Sequence, residues 1–130
     1  MSDEMNEFRI LSKEDLHDLS GPGTPGVARR IAFEDDGYWF GHAEIATETM
    51  SGWHHHDENV TVGYVLKGAF HLEYGPGGRD STDVRASDYF LMPPWAMHRE
   101  GNAGDEPCIV LFTRIGHGPL VVPVDGPPSE

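Results

Sequence analysis

His54-His55-His56-Asp57-Glu58-Asn59-Val60-Thr61-Val62-Gly63-Tyr64-Val65-Leu66-Lys67-Gly68-Ala69-Phe70-His71-Leu72-Glu73-Tyr74 reads as strand, turn and strand. From Val60 the chain alternates. Val60, Val62, Tyr64 and Leu66 fall on one face, and Thr61, Gly63 and Val65 on the other. Lys67-Gly68 turns the chain, and Phe70, Leu72 and Tyr74 share one face of the next strand. Just upstream stand three consecutive histidines. Residues two apart on extended backbone point to the same side, so His54 and His56 aim at one point while His55 aims away. Two imidazoles on one strand are a natural cis pair of metal ligands, and a metal site needs at least one more ligand from elsewhere.

The same texture extends in both directions. Ile31–Phe33 and Tyr38–Thr47 are rich in β-branched and aromatic residues, with a hairpin turn at Glu34-Asp35-Asp36-Gly37. Tyr89–Met92, Ala96–Arg99 and Ile109–Ile115 read as further strands. The chain of 130 residues is long enough for one core, and its 16 Gly and 10 Pro imply many turns between short elements. The reading is an all-β fold. Closing two antiparallel sheets into a β-barrel or jelly roll removes most exposed edges. Residues 1–26 are a lead-in, with a capped helical turn at Ser12-Lys13-Glu14-Asp15-Leu16 that Leu19 extends and that ends at Gly21-Pro22-Gly23-Thr24-Pro25-Gly26. Residues 27–124 form the barrel. Residues 125–130 are a flexible tail, and Leu120-Val121-Val122-Pro123-Val124 before it packs on the barrel or on a partner subunit.

Charge narrows the partners. Nine Lys+Arg against 22 Asp+Glu give a net charge of −13, which repels nucleic acid and anionic membranes. The one cysteine, Cys108, lies in an apolar run and reads as a buried structural thiol. No stretch of about 18 apolar residues is present, and the acidic N-terminus lacks the pattern of a signal peptide. The expectation is a cytoplasmic protein.

A second stretch, Ser87-Asp88-Tyr89-Phe90-Leu91-Met92-Pro93-Pro94-Trp95-Ala96-Met97-His98-Arg99-Glu100-Gly101-Asn102, resembles the second motif of the cupins. Pro93, His98 and Asn102 fall in its register, while Ser87 and Trp95 stand where glycines are usual. His54, His56 and Gly68 similarly resemble the first cupin motif. Its upstream glycine falls at Glu48, and its glutamate falls at Thr61. The resemblance implies a small single-domain cupin of the three-histidine kind. Its metal ligands would be His54, His56 and His98, holding one divalent ion: Fe, Mn, Ni, Cu or Zn. Without the usual carboxylate such a site is more positive and has positions open to water or to an anionic, chelating substrate.

Thr61, Trp95, His42, Tyr64 and Met92 are candidates for the substrate pocket; Trp95 stands first because it replaces a turn glycine beside His98. Asn102 reads as fixing a turn, and Arg99 as pointing away from His98. Two classes of function follow. One is a metal-dependent enzyme acting on a small organic molecule, either as a dioxygenase or through Lewis-acid isomerase, lyase or cyclase chemistry. The other is a non-catalytic binding or sensing module with a structural metal or none, which the threonine at position 61 favours. A homodimer is expected in either case, through sheet faces or the Leu120–Val124 segment.

Overall fold

A computed structural model describes residues 7–18 and 25–129. Its strands are β1 (His17–Asp18), β2 (Val27–Asp35), β3 (Tyr38–Ile45), β4 (Thr49–Met50), β5 (His54–His55) and β6 (Val60–Lys67). They continue with β7 (Ala69–Tyr74), β8 (Asp80–Arg85), β9 (Tyr89–Met92), β10 (Arg99–Asn102), β11 (Cys108–Ile115) and β12 (Val122–Pro123). A six-stranded sheet runs β1-β2-β3-β11-β6-β9 and a four-stranded sheet runs β4-β10-β7-β8, all antiparallel. β12 and β5 form a separate short pair. No helix among the described residues is long and apolar enough to cross a membrane.

Alternation explains where the core lies. β3 turns Trp39, Ala43 and Ile45 inward, β11 turns Cys108, Val110 and Phe112 inward, and Phe70, Leu72 and Val84 meet them from the other sheet. The Trp39 and Phe112 rings meet edge to face at 4.9 Å, a contact worth about 0.5–1.5 kcal/mol beyond burial. Burial among these side chains pushes the Cys108 thiol up to about 11, so it is inert at neutral pH.

The turns follow their residues. Asp36-Gly37 closes the β2–β3 hairpin in two residues, with Gly37 at φ 87°. In the lead-in, Lys13–Asp15 is a 3-10 turn, and the Ser12 N–H and hydroxyl both donate to the Asp15 carboxylate. Gly21 to Thr24 and Leu19 lie outside the described residues. The strand expected over Ala96–Arg99 instead begins at Arg99. Pro93-Pro94 and a left-handed Trp95 (φ 64°) hold a turn there, and His98 makes only an isolated bridge to His54.

Three positions where the cupin motifs carry glycine hold the backbone that glycine favours. Glu48, Ser87 and Trp95 have φ values of 59°, 77° and 64°. A side chain in that region costs roughly 1–2 kcal/mol. Ser87 is exposed, so its side chain contributes no burial that would offset this cost. Ser87→Gly is expected to raise stability by about 0.5–1 kcal/mol, read as a higher urea midpoint; an unchanged or lower midpoint contradicts the strain.

Candidate metal centre

The site is assembled by backbone pairing. His54 and His98 exchange two N–H···O bonds, each 2.9 Å, which sets their side chains face to face. β12 pairs with β5, Val122 opposite His55 and Pro123 opposite His54, and Val124 N–H donates to the Trp53 carbonyl. The C-terminal segment thus straps the histidine strand from outside. His55 points away from His54 and His56 and is covered by Trp95, with ring centroids 5.5 Å apart.

His54, His56 and His98 are each nine-tenths or more buried, and their ring centroids lie 4.5–5.0 Å apart. Each Nδ1 faces a backbone carbonyl: Gly52 at 2.8 Å for His54, Leu120 for His56, and Ala96 at 2.9 Å for His98. A carbonyl oxygen only accepts, so all three Nδ1 atoms donate. In a neutral imidazole that choice leaves the lone pair on Nε2, on the side of the common centre, the arrangement that carbonyl partners impose on metal-bound imidazoles.

A fourth group completes the cluster. Glu100, two residues after His98 on β10, brings Oε1 to 3.2 Å from His54 Nε2 and 3.8 Å from His98 Nε2. One ligand atom from each of His54, His56, His98 and Glu100 lies within 4.8 Å of all the others. Ligands about 2.0–2.2 Å from a shared ion stand at most ~4.4 Å apart, so the set needs only a slight contraction to enclose one. Burial pushes the Glu100 carboxyl up, but its contacts with His54 and His98 outweigh that and hold it well below the ordinary range. Burial and the neighbouring Arg114 cation lower His56 to about 3, so it is neutral at physiological pH. Three imidazoles and a carboxylate that turn their ligand atoms toward one point form a set that a shared divalent cation would satisfy. The donors, three neutral nitrogens and one carboxylate oxygen, suit divalent Zn, Fe, Mn, Ni or Cu.

Thr61 is buried as well, and it faces a cation. Arg114, on β11 opposite it, donates from Nε to Thr61 Oγ1 at 3.2 Å and sets Nη2 3.3 Å from His56 Nε2. A glutamate at position 61 would have approached the centre from this strand; here the carboxylate comes from β10. Met92 is buried between the inner cavity and an outer cleft of about 770 Å³. Trp95 is 58% exposed and forms part of that cleft with His98.

Two expected pocket residues lie elsewhere. Tyr64 is on the outer face of the six-stranded sheet, stacked on Tyr89 with centroids 4.8 Å apart, because Thr61, Gly63 and Val65 take the inner face of β6. His42 is on the outer face of β3, since Trp39, Gly41, Ala43 and Ile45 alternate inward. Partial burial, and then Arg30, lower its pKa. Arg99 stacks on Trp53 at 4.7 Å and pairs with Glu73 at 2.6 Å. Asn102 donates to the Ile45 and Glu106 carbonyls and accepts from Gly104 N–H, fixing the turn before β11.

Residues 41–114 match the family model described as the cupin domain. This chain is a cupin. Among solved structures it is similar to a Klebsiella pneumoniae conserved protein with a double-stranded β-helix domain. The TM-score is 0.71 and the identity 19%, over 91% of this chain and 98% of that one. It is also similar to the polyketide cyclase RemF of Streptomyces resistomycificus, with TM-score 0.77, 18% identity, and 91% and 86% coverage. A third likeness is to Lactobacillus farciminis oxalate decarboxylase in complex with formate, with TM-score 0.68 and 19% identity, over 85% of this chain and 34% of the enzyme. No curated protein matches the chain. At these identities the likenesses establish the cupin fold and leave the chemistry to the residues.

Proposed function

We propose that this cupin is a metal-dependent enzyme acting on a small organic molecule, with His54, His56, His98 and Glu100 holding one divalent transition-metal ion. The observation that carries the reading is the set of three Nδ1–H groups tied to carbonyls, which leaves three lone pairs and a carboxylate facing one point. A bound ion would supply Lewis acidity toward a substrate oxygen, or, as iron, a site for dioxygen. The chain's residues do the rest. The carbonyls of Gly52, Leu120 and Ala96 fix the imidazoles, Met92 and Phe112 keep the inner wall apolar, and Thr61 holds Arg114 in place. Enzymatic relatives of the fold, a polyketide cyclase and an oxalate decarboxylase, are in keeping with this reading.

The test is metal content of untagged protein by elemental mass spectrometry, beside His98→Ala. Near-stoichiometric metal in the wild type and its loss in the variant are the expected results. No metal on isolation and none taken up under anaerobic reducing conditions would sink the proposal.

One contact favours a second reading. The Arg114 guanidinium already donates toward His56 Nε2, so a metal-free, non-catalytic binding module would have a cation beside its histidines. The same measurement separates the two.

The homodimer is also a proposal. Phe40, Val62, Leu66, Tyr89 and Leu91 are exposed on the six-stranded sheet, and its outer face is the surface that would pair. A mass of one chain by light scattering excludes it.

A further inference from the structure

The wall of the inner cavity carries more positive charge than the metal centre accounts for. Arg114 is 4% exposed, and its Nη1 is buried with no hydrogen-bond partner among the described residues. Burying a guanidinium N–H without an acceptor is costly. The rings of Trp39 and Phe112, 5.2 and 5.1 Å from the guanidinium carbon, offset part of that cost but accept no hydrogen bond from Nη1 in the plane of the group. A second arginine lines the same space. Arg29 alternates with Val27 and Ile31 on the inner face of β2. Glu100 is the only acid in that lining, the other polar members being Ser51 and Thr61. In a chain with net charge −13, the interior is therefore cationic, and a divalent ion on the neighbouring ligands would increase the excess.

We propose that this cavity binds the carboxylate of a small organic acid, with Arg114 and Arg29 as its cationic partners beside the metal centre. Guanidinium N–H groups recognise a carboxylate through short, charge-assisted bonds. The cavity, about 30 Å³, holds about two water-sized groups, the size of formate or of the carboxylate end of a longer acid. Phe90 and Met92 line both this cavity and the outer cleft, so the partition between them is one side chain thick. Met92 is the flexible part of that partition. Bound here, the acid lies beside Glu100 and on Arg114, whose Nη2 is 3.3 Å from His56 Nε2, which deepens the enzyme reading by naming a substrate class. The arginines need no metal to bind it.

The probe is ¹³C-formate, titrated by NMR into protein stripped of metal with EDTA and kept at low chloride, with formamide as the neutral isostere. Wild type is expected to bind formate and to ignore formamide. Arg114→Met should weaken formate about 10- to 100-fold, and Arg114→Lys should fall between. Circular dichroism checks the fold; if Arg114→Met does not fold, Arg114→Lys and Arg29→Met decide, each weakening formate. Because the titration is made on metal-stripped protein, formate binding is read apart from any metal binding. Failure of the metal reading therefore leaves this result intact, and the converse also holds. Formate bound no more tightly than formamide, or equal affinity in wild type and every folded arginine variant, overturns the proposal.

Discussion

Glu100→Gln is expected to lower zinc affinity by roughly 100-fold or more while the protein stays folded. Glutamine keeps the shape of the side chain and an oxygen, but it removes the negative charge. Changing a residue that merely orients a ligand typically costs ~10–100-fold, and loss of a ligating carboxylate should exceed that. The carboxylate also balances Arg114, which lies across the same cavity. Without it a divalent ion would enter a site flanked by an uncompensated cation. Competition against a zinc indicator measures the affinity, and a thermal scan of the metal-free variant checks the fold. Equal affinity in wild type and Glu100→Gln would remove Glu100 from the ligand set and leave three imidazoles.

Much of this centre can be read in the sequence by one rule, the two-residue period of a strand. It pairs His54 with His56, and the spacing of the second motif adds His98. Applied once more, the same rule pairs His98 with Glu100. That step is hidden because the strand expected over Ala96–Arg99 stops one residue short of Glu100, whereas Pro93-Pro94 and the left-handed Trp95 shift β10 to Arg99–Asn102. Period two also cannot say which face is inside. On β6 the more apolar face, Val60, Val62, Tyr64 and Leu66, is the outer one, with Leu66 54% exposed. The inner face is Thr61, Gly63 and Val65 for steric and electrostatic reasons. A Cβ at Gly63 would sit 2.2 Å from the Phe90 ring, and Thr61 meets Arg114. Tyr64 was thus assignable to a face but not to the pocket. The inward arginines are the least legible feature, because each is set by pairing between strands distant in sequence, Arg114 opposite Thr61 and Arg29 opposite Ala43.

Gly101 in the second motif and Gly52 just before the histidine strand differ in what surrounds them, and Gly101 sets the largest expected loss of stability. A Cβ on Gly101 would lie 1.9 Å from the Thr49 carbonyl oxygen and 2.9 Å from the Met50 Cα. Both are backbone atoms of β4, which pairs with β10 through Gly101 and Asn102. Neither can turn aside as a side-chain tip would, so β4 and β10 must separate. Gly101→Ala is expected to cost about 3–5 kcal/mol, the range of severe core overpacking and lost pairing. Because β10 carries Glu100 and continues from His98, zinc affinity should fall with it. Gly52→Ala is the control: a Cβ there meets nothing within 4 Å, although the Gly52 carbonyl is the acceptor for His54 Nδ1. It is expected to change stability by less than about 0.5 kcal/mol and to leave metal binding unchanged. Urea midpoints of the two variants side by side test this. A Gly101→Ala variant as stable as Gly52→Ala would show that β4 is not held against β10 as the pairing requires.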